Sequence, residues 1–150
     1  MNLFHLLRPV AVLLAVVGSV VFSARASGEE RAYHSRSTAV LNLETGNFLA
    51  AGNGTHLGNY TEVGNVSISG NDPEALHVEG SATLTAANGD ELCLDFTGQL
   101  NFLTGTITAT ITFDGATTGR FKDATGSASL VAQFQPDGTI AVVVVGTIDY

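Results

Sequence analysis

Residues 77–98 read HVEGSATLTAANGDELCLDFTG and decide the fold class, because apolar residues alternate with polar ones along two consecutive segments. The first segment has apolar or small residues at every second position: Val78, Gly80, Ala82, Leu84 and Ala86. In the second segment the same spacing places Leu92, Leu94 and Phe96 on one face. The intervening Asn88-Gly89 pair favours a tight two-residue hairpin turn. The stretch therefore predicts an antiparallel hairpin with one apolar face.

The remainder of the chain repeats this pattern. GTITATITFDG at 105–115 and SASLVAQFQPDG at 127–138 also alternate, and no stretch after residue 26 sustains the apolar spacing of a helix. Eight short antiparallel strands can stack as two sheets or close on themselves, and closure removes the exposed edges that favour aggregation. We predict an all-β fold, a closed antiparallel barrel of about eight strands.

The first 26 residues have the layout of a cleaved export signal. A basic start with Arg8 is followed by the apolar stretch PVAVLLAVVGSVVF at 9–22 and the small-x-small pattern Ala24-Arg25-Ala26. The apolar stretch is shorter than the roughly 20 residues that span a bilayer. We therefore expect cleavage after Ala26 and a secreted or periplasmic protein that is not attached to a membrane once the signal is removed.

The rest of the chain divides into two parts. Residues 27–37, SGEERAYHSRS, are polar and charged without periodicity, which is typical of a flexible lead-in. Residues 38–150 form the predicted barrel domain. In its final strand, Val143 and Val145 lie opposite the face of Ile140, so we expect another element or another subunit to cover them.

The charge balance argues against nucleic acid as a partner. Removal of residues 1–26 takes away Arg8 and Arg25 and leaves four basic residues against 14 acidic ones, a formal net charge of −10. Nucleic-acid binding depends largely on Lys and Arg side chains that neutralise phosphates. A surface this acidic is expected to repel such a partner.

Five stretches carry a resemblance to a known family. They resemble the exported bacterial proteins of the allene oxide cyclase barrel-like group, which are fold relatives of dirigent proteins: GTHLGNYTEVG at 54–64, TLTAANGDEL at 83–92, DFTG at 95–98, TGRFKDATGSASL at 118–130 and GTIDY at 146–150. The resemblance implies an eight-stranded barrel with a central cavity that assembles into homo-oligomers, often trimers. Plant barrels of this kind cyclise a fatty-acid epoxide or direct the coupling of phenolic radicals. No catalytic residue is carried over, because the sequence contains no plant active-site motif.

Tyr60 and Glu62 are the candidate catalytic residues. Val66 and Ile68 are expected to point into the barrel. If no bulge separates them from Tyr60 and Glu62, the latter two point inward as well. Burial would then raise the pKa of the Glu62 carboxyl into a useful range for proton transfer. A β-bulge at Gly64 would reverse this phase and expose Glu62 to water. Of the two interpretations we favour the bulge.

The loop between the strands that end near Phe113 and begin near Ser127 holds Arg120 and Lys122, the last basic residues of the chain. One interpretation is a solvated turn whose cations reduce local repulsion, with Phe121 folded over the barrel end as a plug; this is the one we favour. The other places both cations at the cavity rim, where they would attract the anionic end of an apolar ligand. The candidate ligand-binding residues in this loop are therefore Arg120, Lys122 and Phe121. His56, at the loop-to-strand start GTHLG, is the fourth candidate, although a structural hydrogen bond is the interpretation we favour for it.

The leading functional hypothesis is an exported barrel that binds a small apolar or amphipathic ligand. One alternative is an isomerase or cyclase of the allene oxide cyclase type, and another is a purely structural, oligomerising barrel. We expect a homo-oligomer, a trimer or a dimer. No cofactor is expected, nor a metal site, because the histidines are far apart in sequence and lack the spacing of zinc ligands.

Overall fold

The structure, a computed structural model, describes residues 29–116 and 118–150. The predicted export signal lies outside the described residues. The eight strands are β1 Arg31–Leu41, β2 Asn47–Gly54, β3 Gly58–Ser69, β4 Leu76–Ala86, β5 Glu91–Asn101, β6 Thr106–Phe113, β7 Thr125–Phe134 and β8 Ile140–Asp149.

Each strand pairs antiparallel with the next in the sequence, and β1 pairs with β8 to close the barrel. The closing register runs from Arg31 opposite Ile148 to Ala39 opposite Ile140. This confirms the predicted all-β closed antiparallel barrel. Because every strand has a partner on both sides, the barrel has no free sheet edge.

Strand β1 begins earlier than expected, so the predicted flexible lead-in at 27–37 is wrong from Arg31 onward. Residues 31–37 pair with β8 and, from Ser35, also with β2. The prediction failed because the segment is polar on both faces. Tyr33, Ser35 and Ser37 point inward, yet the backbone hydrogen bonds of two neighbouring strands hold it in place.

The hairpin of β4 and β5 has the predicted faces but a longer turn. Leu84 and Leu92 are paired and both are buried. The backbone N–H of Ala86 donates to the carbonyl of Asp90 at 2.9 Å, which leaves three residues in the loop instead of two. Gly89 has a φ of +87°, a left-handed conformation typical of three-residue hairpin loops.

Strand β3 runs without the predicted bulge. Gly64 lies opposite Phe48 of β2 and Ala82 of β4 in registers that skip no residue. Val63 consequently points to solvent, while Glu62 points into the barrel. The bulge interpretation is wrong, because Gly64 continues the regular register and serves a steric role instead. A Cβ there would overlap with Cζ of Phe48 and crowd the backbone oxygen of Ser81, so the glycine makes room for an aromatic ring.

The two ends of the barrel differ. At the end where β1 begins, called the closed end below, Leu57, Phe121, Ala124 and Ile148 are buried and fill the interior. At the opposite end lie the turns at 42–46, 70–75, 102–105 and 135–139. Several inward side chains near those turns are only half-buried: Leu41, Phe48, Val66 and Ile107. This second end is called the open end.

The outer surface carries exposed aliphatic side chains. Val143 and Val145 of β8 are 41 % and 47 % exposed, so no other element of the described chain covers them. Val131 of β7 is also exposed and lies directly opposite Val143. The expected covering by another element is therefore not found within residues 29–116 and 118–150.

Candidate functional site

A cavity of about 90 Å³ lies inside the barrel between the filled closed end and the open end. Aliphatic and aromatic side chains from all eight strands form most of its wall, among them Leu84, Phe96 and Val144. The polar side chains on the wall are grouped on β1 and β3: Tyr33, Ser35, Ser37, Tyr60 and Glu62. The cavity is therefore an apolar chamber with one polar side.

Glycines on β2 bring the polar groups together. Gly52 pairs with Ser37 on one side and with Tyr60 on the other, and Gly54 pairs with Ser35. A Cβ at Gly54 would lie 3.6 Å from Cε1 of Tyr60. Because these glycines have no side chain, the Tyr60 ring lies across β2 toward the serines of β1.

Glu62 is the carboxyl group on this wall, between Tyr60 and the open end. Burial raises its pKa to about 7, because water is replaced by apolar neighbours that do not stabilise the carboxylate. Among the described residues that line the cavity there is no Arg, Lys or His to offset this effect. Near neutral pH the Glu62 carboxyl is therefore divided between its protonated and ionised forms.

Tyr33 is 1 % exposed and packs edge-on against Phe113, with ring centroids 4.9 Å apart. Its hydroxyl oxygen is buried and makes no hydrogen bond within the described part of the chain. Burial raises the pKa of Tyr33 far above its ordinary value, and the nearby Ser35 hydroxyl opposes this only in part. The phenol therefore keeps its proton at any physiological pH.

Tyr60 is likewise buried at the polar side of the cavity. Burial raises the pKa of its phenol, the hydroxyls of Ser35 and Ser37 partly oppose the rise, and negative charge on Glu62 adds to it. Two protonated phenols and one titrating carboxyl thus share a small space. This set can donate hydrogen bonds to a bound molecule and, through Glu62, can exchange a proton with it.

The predicted ligand-binding residues lie elsewhere, at the closed end. Arg120 forms an ion pair with Asp90, with Nε 3.1 Å from Oδ2, and donates a hydrogen bond to the backbone carbonyl of His56. Its guanidinium group also stacks on the Phe121 ring, 4.6 Å from the centroid. These contacts join three separate segments of the chain.

His56 has a structural place in the same region. Its backbone is left-handed, with φ +69°, and its Nε2 lies 2.9 Å from the carbonyl oxygen of Ala32. The ring packs edge-on against Tyr150 at 5.5 Å. These contacts fix the loop between β2 and β3 against the start of β1 and the chain terminus.

Phe121 is the plug that the sequence predicted, fully buried and packed against Tyr150 with ring centroids 4.8 Å apart. Lys122 beside it is exposed. None of the four predicted ligand-binding residues lies on the wall of the interior cavity. The rim interpretation of Arg120 and Lys122 does not describe this cavity, because Phe121 separates its closed end from them.

Sequence reasoning missed Tyr33, Ser35 and Ser37, since they fall in the segment predicted as a lead-in. Their signal was present in the alternation of the RAYHSRS segment, where His34 and Arg36 lie between the three inward residues. That alternation is polar on both faces, so a search for apolar periodicity passes over it.

Within residues 29–116 and 118–150, no cluster of three or more His, Cys, Asp or Glu side chains could hold a metal ion. The described ranges also contain no helix with the length and apolarity needed to cross a membrane. No family model, curated protein or solved structure matches this chain. A functional proposal therefore starts from the barrel and its cavity.

Proposed function

We propose that this protein is an exported β-barrel that binds a small apolar or amphipathic molecule in its interior. The supporting observation is the cavity, whose wall is apolar except for the grouped polar side chains of β1 and β3. Binding sites for small molecules are typically concave, mostly apolar and supplied with a few polar groups that orient the ligand.

The size of the cavity limits the ligand. At about 90 Å³ it is smaller than the pockets of about 300–1,000 Å³ that hold drug-sized molecules. The cavity therefore holds a compact molecule, or one end of a longer molecule whose remainder extends out through the open end. The half-buried Leu41 and Phe48 provide apolar contacts along that exit.

An enzymatic function is the second candidate, and Glu62 is the observation that favours it. A carboxyl group with a pKa of about 7 can act as a general acid or base near neutral pH. An isomerase or cyclase of the allene oxide cyclase type would need little beyond a dry shaped cavity and such a group. Membership of that barrel-like group is part of this proposal and rests on the sequence resemblance.

A structural role in an oligomer is the third candidate. The exposed Val131, Val143 and Val145 form an aliphatic strip on neighbouring strands, and a homotrimer or homodimer would bury it.

Export through a signal cleaved after Ala26 also stays a proposal. Intact mass measurement on protein from its own host tests it, because the cleaved chain would begin at Ser27.

Native mass spectrometry of the same protein tests the leading proposal. We expect the wild type to carry a non-covalent adduct. The adduct should be lost in Leu84→Trp, which fills the cavity, and retained in Glu79→Gln, which alters a carboxyl group on the outer face of β4. An adduct that survives Leu84→Trp in a folded protein would contradict binding in the cavity. The same spectrum reports the number of subunits.

For the enzymatic candidate, Glu62→Gln is the informative substitution. It keeps the size of the side chain and removes its titration, so turnover would be lost while binding is retained. Glu79→Gln serves as the matched control because Glu79 is exposed on the outer face. Unchanged turnover in Glu62→Gln would exclude this carboxyl as the proton-transfer group.

A further inference from the structure

Within the part of the chain that the structure describes, the hydroxyl of Tyr33 is a buried polar group without a hydrogen-bond partner. From it we propose that the cavity selects neutral ligands whose polar end is a hydrogen-bond acceptor, such as a carbonyl or ether oxygen, and that Tyr33 is the donor. This inference rests on the proposed function, ligand binding in the barrel, and adds the chemical class of the ligand.

The first support is the state of the Tyr33 hydroxyl. It is buried in the wall of the cavity and has no hydrogen-bond partner among the described residues. Buried polar groups in native proteins are nearly always hydrogen-bonded, and an unsatisfied one destabilises the fold. A ligand oxygen in the cavity would supply the missing acceptor.

The second support is that Tyr33 is a donor under all physiological conditions. Burial keeps the phenol protonated, and negative charge on Tyr60 or Glu62 favours the protonated form further. The Ser35 hydroxyl on the same strand is close enough to lower the pKa of the phenol in part, but it lies outside hydrogen-bonding geometry with the phenol oxygen. The group that fits this donor is an acceptor atom brought by the ligand.

The third support is the electrostatic character of the cavity, which disfavours anions. Its wall, within the described residues, carries no cationic side chain, while Glu62 adds negative charge whenever it ionises. Arg120 is held by Asp90 and by His56 beyond the plug at the closed end. A carboxylate ligand would lose its hydration without gaining a cation, which is strongly unfavourable.

The position of Tyr33 gives the ligand an orientation. Tyr33 lies toward the closed end of β1, whereas Leu41 and Phe48 lie at the open end. The oxygen of the ligand would therefore enter first and the apolar part would follow. This orientation buries the acceptor and leaves the apolar part against the aliphatic and aromatic wall.

A set of three compact probes tests the proposal by NMR titration of the folded protein at pH 8. Cyclohexanone has the acceptor, methylenecyclohexane has nearly the same shape without it, and cyclohexanecarboxylate is an anion. We expect cyclohexanone to bind most tightly. Tyr33→Phe should weaken cyclohexanone binding about fivefold, the value of one hydrogen bond, and leave methylenecyclohexane unchanged.

The wild-type preference among the probes tests the inference even if Tyr33→Phe does not fold. Equal binding of cyclohexanone and methylenecyclohexane, or tighter binding of the carboxylate, would overturn the inference and leave cavity binding intact. Unchanged cyclohexanone affinity in a folded Tyr33→Phe variant would also overturn it. Failure of both neutral probes to bind would overturn the proposed function itself.

Discussion

Arg120 and Asp90 form an ion pair across the closed end of the barrel, with Nε of the arginine 3.1 Å from Oδ2 of the aspartate. The pair joins the loop that precedes β7 to the β4–β5 hairpin. The same guanidinium group covers the Phe121 ring, so the ion pair and the plug stabilise each other.

Arg120→Ala should lower the free energy of unfolding by about 1 kcal/mol, a modest effect because the ion pair is partly exposed to water. Part of the loss comes from the contact of the arginine with Phe121. Chemical denaturation measures this change in the free energy of unfolding. Lys122→Ala is the control, expected to change stability by less than about 0.5 kcal/mol. Equal effects of the two substitutions would contradict the role assigned to Arg120.

Phe121→Ala should destabilise the protein by about 3–5 kcal/mol, because the ring is fully buried and its removal leaves a cavity. Thermal unfolding compares the stability of this variant with that of Phe102→Ala. Phe102 lies in a turn and is 68 % exposed. The turn variant should behave like the wild type. A loss below about 1 kcal/mol for Phe121→Ala would mean that the ring does not close the barrel.

Tyr33→Phe should leave the unliganded protein as stable as the wild type or stabilise it by about 1 kcal/mol, since it removes a buried hydroxyl that has no partner in residues 29–116 and 118–150. Substitutions of buried residues usually destabilise, so this result would be informative. Denaturant unfolding at neutral pH measures the effect. A loss of more than about 1 kcal/mol would show that the hydroxyl is hydrogen-bonded in the free protein.

Stability should fall as the pH rises from about 4.5 to about 7, and Glu62 is the cause. The folded protein holds the proton of Glu62 up to about pH 7, whereas the unfolded chain releases it near the ordinary value of 4.5. Each unit of difference corresponds to about 1.4 kcal/mol, so up to about 3 kcal/mol is lost across this range.

The comparison of wild type with Glu62→Gln isolates that contribution, because the glutamine does not titrate. Denaturation at pH 5 and at pH 8 should show the loss in the wild type and in Glu79→Gln but not in Glu62→Gln. The same pH dependence in all three proteins would assign it to other groups.

The barrel itself could be predicted from the sequence because most of its strands alternate between apolar and polar residues. The β4–β5 hairpin is the clearest example, with Leu84 and Leu92 paired in the core as expected. Phe121 was also predicted as a plug, because a large apolar residue in a polar loop next to Gly119 has few other places to pack.

The candidate site could be predicted only in part, because it departs from that alternation. The inward face of β1 carries Tyr33, Ser35 and Ser37, which resemble an exposed segment in composition. A glycine within a strand pattern, such as Gly64, suggests a bulge. Its role here depends instead on its contact with Phe48, sixteen residues earlier, and only the strand register of the folded protein brings the two residues together. Asp90 and the carbonyl of His56, which pair with Arg120, are 30 and 64 residues away from it in sequence.

Glu62 lies in an apolar cavity inside the barrel, and the ionisation of its carboxyl group reports on that environment. In the unliganded protein, the chemical shift of its ¹³Cδ can be followed by NMR between pH 3 and pH 9. We predict a midpoint near 7, because the cavity disfavours the carboxylate. A midpoint near the ordinary value of 4.5 would place Glu62 in water and contradict its burial in the cavity.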